Sequence, residues 1–378
     1  MRIERIRLFH VALPLVHGFE TSSHRKTHLE HILVEATDPD GRTGWGEIAS
    51  PSAPYFCSET TATAWMIALD YLVPAALGAE WDAPEELEER WSRIRGHEFA
   101  KAGFVGATWD LYARTEGLSL AAALGGTRAQ VAAGVSLGIE PTIDALLQEV
   151  ERQLAAGYRR VKLKIAPGWD REPVHAVRSA HPDLDLHVDA NGVYLDSDET
   201  TALFRSFDRE RLTMIEQPFA PRELMAHARL QRVLETPICL DESVVALGDL
   251  RTMIEADAGR VLNIKASRMG GLSVARRAHD LAADAGIPVW CGGMHEFGVG
   301  RAANVALSSL PNFTLPSDVS GSDKYYAQDV VTPPVTAVAG LVDVPTAPGI
   351  GHDVRLEQVQ AHALRTFDSA MADAAALR

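Results

Sequence analysis

Six charged residues stand at the ends of short apolar stretches, at spacings that could bring their side chains together. They are Lys162 and Lys164 in VKLKI, Asp189 in HVDAN, Glu216 in MIEQP, Asp241 in CLDES and Lys265 in NIKAS. From Lys164 onward, each step to the next of these residues is 24 to 27 residues long. A strand, a helix and two short loops fill about that length, so we predict that the six side chains gather at one edge of a parallel sheet.

Three of the six residues are carboxylates, and three converging carboxylates cannot all stay ionised without a cation. Oxygen ligands without His or Cys suit a hard metal ion. We therefore predict Mg²⁺ as the cofactor, with Mn²⁺ as a substitute that the same ligands could hold. The predicted ligands are Asp189, Glu216 and Asp241.

The lysines complete a site that could remove a proton next to a carboxylate. In an eight-strand ring, the strands of Lys164 and Lys265 are four apart and lie opposite each other, with the metal between them. A small carboxylate substrate on the metal would place its α-carbon between these lysines, while the metal stabilises the enediolate. A lysine base must be neutral, and the positive charge of Lys162 would favour the neutral form of Lys164.

The segments that carry these residues alternate between strand-like and helix-like patterns. Eight buried strand candidates lie between residues 131 and 318, and the segments between them have apolar residues at helical spacing. PTIDALLQEVERQLAAG and LSVARRAHDLAADAG both end at glycine, as helices often do. This alternation predicts a parallel (β/α) barrel. A doubly wound open sheet is the alternative, but no phosphate loop opens the series.

The first 125 residues do not follow this period. They contain two alternating strand candidates, RIERIRLFHVALPL and THLEHILVEATD, and helical segments such as PEELEERWSRIRG. We predict a separate α+β domain over residues 1–125, completed by the C-terminal segment 321–378. The catalytic barrel then spans residues 126–320.

Composition restricts the partners and the compartment. The chain has 378 residues, of which 46% are hydrophobic, and a formal net charge of -15. This charge argues against a nucleic-acid or anionic-membrane partner, and no segment approaches the ~20 apolar residues of a membrane helix. The three cysteines are far apart and form no disulfide or zinc motif. Reduced thiols and a cytoplasmic location are the expectation.

The chain resembles the enolase superfamily in its muconate-lactonizing-enzyme subgroup. The resemblance covers essentially the whole chain and rests on VKLKIAPGWD, HVDANG, MIEQPF, TPICLDES, NIKASRMGG, PVWCGGM and GRAANVALSSLPNFTLPSD. Within the subgroup it is greatest to the N-succinylamino acid racemase and o-succinylbenzoate synthase family. It implies a modified TIM (β/α) barrel with an α+β capping domain, and barrels that associate into homo-oligomers. A lysine base with Mg²⁺ is the known chemistry of this superfamily, so the mechanism is a property of the family.

The resemblance also implies roles for particular residues. Lys164 and Lys265 would be the opposed acid/base groups, and the three strand-end carboxylates would bind Mg²⁺. Lys162 would assist catalysis by holding the substrate carboxylate. The candidate substrate-binding residues are Asn191, His295, Phe297, Ser136 and, in the capping loop 18–31, Phe19.

Two reactions fit this set, and both start with removal of an α-proton. Racemisation of an N-acyl (N-succinyl) amino acid would use both opposed lysines, and we rank it first. Syn dehydration to o-succinylbenzoate could use Lys164 alone, with the charge of Lys265 stabilising the enolate. Another carboxylate is a third possibility, defined by His295, Phe297 and the cationic capping loop 18–31. His295-Glu296-Phe297-Gly298 and KAS at 265–267 depart from the family pattern, and family members vary in that loop.

Other motifs in the sequence have plainer explanations. His97-Glu98 and His295-Glu296 lack a histidine four residues after the first, so the HExxH pattern of zinc proteases fails. GVGRAA, at 298–303, could place a helix N-terminus against a substrate anion or could simply pack closely on a strand. A non-catalytic barrel is disfavoured, because all three carboxylates and both lysines are present.

Overall fold

An antiparallel sheet and a group of helices form the N-terminal part of the chain. The computed structural model describes residues 1–20 and 25–372, except for the side chains of residues 17–20 and 25–26. The strands are β1 (Arg5–Glu20), β2 (Arg25–Thr37) and β3 (Thr43–Ile48). The helices are α1 (Thr61–Ile67), α2 (Val73–Ala76), α3 (Pro84–Trp91), α4 (Glu98–Thr115) and α5 (Leu120–Leu124), with a π-helical turn at Ala68–Leu72.

This sheet packs on helix α4. Alternate strand residues such as Ile6 and Leu8 are fully buried, as expected for a sheet with one face on a core. β3 approaches α4 so closely that a Cβ atom on Gly46 would lie 1.9 Å from the carbonyl oxygen of Gly103. A residue with a side chain cannot fit there, so Gly46 is required for this packing.

Strands and helices then alternate along the chain, as predicted. The strands are β4 (Gln130–Ala132), β5 (Val135–Leu137), β6 (Arg160–Lys164), β7 (Asp185–Asp189), β8 (Met214–Glu216), β9 (Ile238–Leu240), β10 (Val261–Ile264) and β11 (Val289–Cys291). The helices are α6 (Ile143–Ala155), α7 (Arg171–Ala180), α8 (Asp198–Ser206), α9 (Leu224–Gln231), α10 (Leu247–Ala256), α11 (Leu272–Asp284) and α12 (Gly298–Ser308), with a 3-10 turn at Phe207–Glu210.

In the described residues, β5 to β11 lie in chain order in one parallel sheet. Lys164 is in register with Asp189, and Asp189 is in register with Glu216. Three strands, β7 to β9, separate β6 from β10. The sheet therefore brings the predicted charged residues to one edge, with the lysine strands on either side of the carboxylate strands.

The predicted eighth strand, residues 312–318, is not a regular strand in the structure. It bridges the two ends of the sheet through isolated pairs, Val289 with Phe313 and Ala133 with Ser317. Pro316 has no amide hydrogen to donate, which prevents a continuous ladder. The segment still closes the ring, so the predicted (β/α) barrel with an α+β capping domain is confirmed in its general form.

The C-terminal segment returns to the N-terminal sheet. It contains a 3-10 turn at Ser322–Lys324, strands β12 (Val331–Thr332), β13 (Leu341–Asp343) and β14 (Asp353–Val354), helix α13 (Leu356–Ala361) and strand β15 (Ala363–Asp368). β15 pairs with β1 in an antiparallel arrangement. The boundaries predicted for the discontinuous domain stay a prediction. No helix of the described residues is long and apolar enough to cross a membrane.

Candidate active site

Lys162 and Lys164 project into the barrel from β6, while Val161 and Leu163, which alternate with them, are buried on the other face. Lys164 Nζ donates to Asp189 Oδ2 at 2.6 Å. Lys162 Nζ donates to Glu216 Oε2 at 2.8 Å. The alternation seen in VKLKI thus places both lysines against carboxylates of the next two strands.

Lys265 follows β10 and lies against the third carboxylate. Its Nζ donates to Asp241 Oδ2 at 2.7 Å, and Arg268 donates to the other oxygen of Asp241. The ring of Phe56, from the capping domain, is centred 5.1 Å from Lys265 Nζ. A capping-domain side chain therefore covers this lysine.

The three predicted metal ligands lie at the ends of adjacent strands, and here their oxygens accept from lysine, arginine and amide donors. Asn263 Nδ2 donates to Glu216 Oε1 at 2.7 Å, which completes the partners of that carboxylate. Within the described part of the chain, no three Asp, Glu, His or Cys side chains are close enough together to hold a metal ion as they stand. In donor type and strand position the three carboxylates fit Mg²⁺, since all are oxygen ligands with balancing cations nearby.

The charges in this cluster stabilise one another. Burial opposes the charged form of Lys162, but Asp318, Glu216 and Asp189 outweigh burial and raise the pKa of the ammonium above its ordinary value. Burial also opposes the charged form of Asp189 and by itself would raise the pKa of this carboxyl group. Lys164 and Lys162 outweigh burial and hold that pKa well below its usual range. Lys162 is therefore a charged group, and its charge is balanced by the carboxylates around it.

Asp318 is a member of this cluster that the sequence did not single out as a site residue. Its Oδ1 accepts from Arg160 Nη2 at 2.7 Å, and its Oδ2 lies 3.3 Å from Lys162 Nζ. A signal was present, because Asp318 is the polar end of NFTLPSD, the eighth strand candidate at residues 312–318. Arg268, Asn263 and Glu242 were also missed, since their positions in strand-end loops and strands give no comparable spacing.

Asp318→Asn should destabilise the protein by on the order of 3 kcal/mol at pH 7, because it removes one partner from a buried ion-pair network. Burial opposes ionisation, but Lys162 and Arg160 hold the pKa of Asp318 well below its usual range. In the unfolded chain an aspartate has a pKa of about 3.9, which is higher than that of Asp318 in the fold. Ionised Asp318 therefore stabilises the fold above that pH, and the stabilisation is lost as the pH falls below it. Urea unfolding of both proteins should show a difference that shrinks below about pH 4; a difference that grows would contradict this account.

The predicted substrate-binding residues fall into different surroundings. Ser136 donates to Asp318 Oδ2 at 3.2 Å, and Asn191 Oδ1 accepts from Lys164 Nζ at 2.6 Å, so both belong to the charged cluster. The side chain of Phe19 lies outside the described residues.

His295 and Phe297 lie in the loop between β11 and α12. The ring of His295 stacks on Tyr325 with centroids 5.1 Å apart, and its backbone has a left-handed φ of 63°. Phe297 is fully buried, with its ring 4.7 Å from that of His31. In this conformation Phe297 presents no surface to a ligand, whereas His295 is half-buried.

The N-terminus of α12 is occupied by a carboxylate of the capping domain. Glu47 Oε1 accepts from Phe297 N at 2.8 Å and from His31 Nδ1 at 2.6 Å, and Glu47 Oε2 accepts from Gly300 N at 2.7 Å. The expectation that these amides could receive a substrate anion is therefore wrong, because a protein carboxylate already fills the place. A helix N-terminus binds whichever anion is nearest, and here tertiary contact supplies it.

Glu47→Ala should lower the free energy of unfolding by about 2–4 kcal/mol, because it leaves buried amides of Phe297 and Gly300 without an acceptor. Urea unfolding measures this effect. Glu89→Ala, at an exposed position of α3, is the matched control and should change stability by less than about 0.5 kcal/mol. Equal stability of both variants would show that the contact between Glu47 and α12 is not stabilising.

Comparison with known proteins identifies the family. Residues 3–125 match the N-terminal domain of mandelate racemase / muconate lactonizing enzyme, and residues 145–359 match the enolase C-terminal domain-like family. The chain therefore belongs to the enolase superfamily, which confirms the resemblance seen in the sequence. This is a superfamily of enzymes.

Individual relatives cover nearly the whole chain. An o-succinylbenzoate synthase of Geobacillus stearothermophilus is 48% identical over 95% of this chain and 96% of its own length. An N-succinylamino acid racemase of Thermus thermophilus is 44% identical over 95% of this chain and 97% of its own length. The crystal structure of an enolase superfamily member from Listeria innocua superposes with a TM-score of 0.94 at 38% identity, covering 97% of this chain and 99% of that one.

Proposed function

We propose that this chain is a Mg²⁺-dependent enzyme that removes a proton α to a carboxylate. The reaction that we rank first is the racemisation of N-succinylamino acids. The observation that carries the proposal is the placement of Lys164 and Lys265. They come from β6 and from the end of β10, on either side of the three strands that carry the carboxylates. A substrate centred over those strands would have one lysine towards each face of its α-carbon.

Asp189, Glu216 and Asp241 are the residues that would hold the ion, with Mn²⁺ as a substitute. When bound, Mg²⁺ supplies positive charge beside the substrate carboxylate, where negative charge develops as the proton leaves. The lysines that now neutralise these carboxylates would then be released towards the substrate.

The residues of the chain divide the proton transfer between them. Lys164 would take the α-proton from one face, and Lys265 would return a proton to the opposite face, which inverts the centre. The reverse reaction exchanges their roles. Lys162, which is buried and charged, would hold the substrate carboxylate rather than exchange protons.

Formation of o-succinylbenzoate is the second candidate function, and the names of relatives at 42% to 48% identity favour it. Syn elimination of water needs one base on one face, which Lys164 would supply. The charge of Lys265 would then stabilise the enolate from the other side. One site could carry out both reactions, since both begin with the same proton abstraction.

The proposal is tested by hydrogen exchange in D₂O. N-succinyl, N-acetyl and N-carbamoyl amino acids and dipeptides are incubated with the enzyme and Mg²⁺, and loss of the α-proton is followed by NMR. We expect exchange from both enantiomers of at least the N-succinyl compounds, abolished by a chelator and restored by Mg²⁺. No exchange with any N-acylamino acid would eliminate the racemase proposal, and o-succinylbenzoate formation would then be assayed directly.

A further inference from the structure

The side-chain amide of Asn191 lies between a lysine and a carboxylate. Its Oδ1 accepts from Lys164 Nζ at 2.6 Å, and its Nδ2 donates to Glu242 Oε1 at 3.1 Å. An amide has one accepting end and one donating end. If it rotated by half a turn, its N–H groups would face the lysine ammonium, which only donates, and its oxygen would face Glu242. The partners at the two ends therefore favour the same orientation of the amide.

Glu242 is the partner at the end away from Lys164, and it has no part in the proton transfer described above. Its Oε1 accepts from Asn191 Nδ2, and this contact favours the orientation in which the N–H end of Asn191 faces Glu242. Its second oxygen, Oε2, is buried without a hydrogen-bond partner among the described residues. Among the described residues, Asn191 is therefore the side chain to which Glu242 is hydrogen-bonded.

The backbone fixes where the Asn191 side chain begins. Asn191 has a left-handed φ of 45°, a conformation that asparagine tolerates better than most residues. Its backbone N–H donates to Asp189 Oδ1 at 2.9 Å. With the backbone held at this point, the remaining freedom of the side chain is mainly the orientation of its amide.

We propose that Glu242 is a positioning residue that keeps the carbonyl end of Asn191 turned towards Lys164. It thereby aims Lys164 Nζ at one face of the substrate, and this inference rests on the proposed two-lysine function. Lys265 Nζ donates to Asp241 and lies against the ring of Phe56, and its charge also interacts with that of Glu242. The charge of Glu242 therefore acts on Lys265 as well, whereas its hydrogen bond to Asn191 acts on the Lys164 side. Loss of the hydrogen-bond acceptor, compared at equal loss of charge, should therefore impair the direction of proton removal that depends on Lys164 more than the other.

Two variants separate the hydrogen bond from the charge. Glu242→Gln and Glu242→Met both remove the negative charge and keep an unbranched side chain of similar size. Only glutamine retains an oxygen that can accept from Asn191 Nδ2, with its own amide nitrogen towards the unpartnered side. The difference between the two variants therefore reports the acceptor alone.

The first measurement is α-proton exchange in D₂O, with Mg²⁺, from each enantiomer of one N-succinylamino acid. Lys164→Ala identifies the enantiomer that depends on Lys164. Compared with Glu242→Gln, Glu242→Met should slow exchange of that enantiomer about tenfold relative to the other enantiomer. Equal slowing of both enantiomers, or the same change of ratio in both variants, would overturn the proposal. Absence of exchange by the wild-type enzyme would instead reject the proposed function.

The second measurement needs no turnover. In protein labelled with ¹⁵N-asparagine, the side-chain signal of Asn191 is assigned by its loss in Asn191→Asp. We expect this signal to shift, and its hydrogens to exchange faster with solvent, in Glu242→Met but not in Glu242→Gln. An unchanged signal in both variants would refute the hydrogen bond on which the inference rests. Urea midpoints of both variants verify that each is folded.

Discussion

Lys164→Ala should lower the rate of α-proton removal from one enantiomer by roughly 10²–10⁴-fold, the usual contribution of a positioned base. Lys164 Nζ lies 2.6 Å from Asp189 Oδ2 and 2.6 Å from Asn191 Oδ1, at the edge of the sheet where the substrate would bind. Racemisation should stop in both directions, because each direction needs one lysine to remove a proton and the other to deliver one. Dehydration to o-succinylbenzoate should fall as strongly, since Lys164 is its proposed base.

The measurement is exchange of each enantiomer in D₂O together with the appearance of the opposite enantiomer by chiral chromatography. Lys101→Ala is a suitable control, because Lys101 lies in helix α4 of the capping domain and pairs with Glu98 at 3.2 Å. It should retain both exchange rates. Substantial racemisation by Lys164→Ala would show that another group acts as the base.

Lys265→Ala should impair proton removal from the other enantiomer, the one that does not depend on Lys164. The enantiomer whose proton faces Lys164 should still exchange with solvent, but it should return to its starting configuration because no proton is delivered from the other face. The second enantiomer should lose exchange by a comparable 10²–10⁴-fold, roughly. Retention of racemisation in both directions would contradict the two-base arrangement.

Lys265→Arg separates the two proposed reactions. Arginine keeps the positive charge near the enolate but is not deprotonated in proteins, so it cannot act as a base. Racemisation should therefore be lost in Lys265→Arg as in Lys265→Ala. Dehydration should be retained better by Lys265→Arg than by Lys265→Ala, provided that charge rather than proton transfer is what Lys265 contributes. Equal loss of dehydration in the two variants would contradict that role.

Several features of the fold could be predicted because they depend on local pattern and repetition. The 24–27 residue spacing of polar strand ends predicted the alternation of strands and helices, and the register of Lys164 with Asp189 and of Asp189 with Glu216 agrees with it. The eighth strand was predicted at the right place but is irregular. A hydrophobic pattern cannot show that Pro316 breaks the ladder while the ring still closes.

Contacts between distant segments could not be predicted. Glu47 fills the N-terminus of α12, some 250 residues later in the chain, and nothing in GWGE indicates that partner. The same applies to Phe56, which covers Lys265 from the capping domain. Such contacts depend on how the capping domain packs against the barrel, and no periodic pattern in a single sequence indicates that packing.

The sequence by itself determined which chemistry is available: three carboxylates and three lysines at strand ends, and hence proton abstraction beside a carboxylate. Spacing suffices for this, because the strand and helix repeat fixes the edge at which each residue emerges. Only the tertiary structure decided how these charges are paired. Lys164 meets Asp189 and the carbonyl end of Asn191, Lys162 meets Glu216 and Asp318, and Lys265 meets Asp241. Charge pairing depends on side-chain direction and on distances of a few ångströms, which only the packed barrel defines.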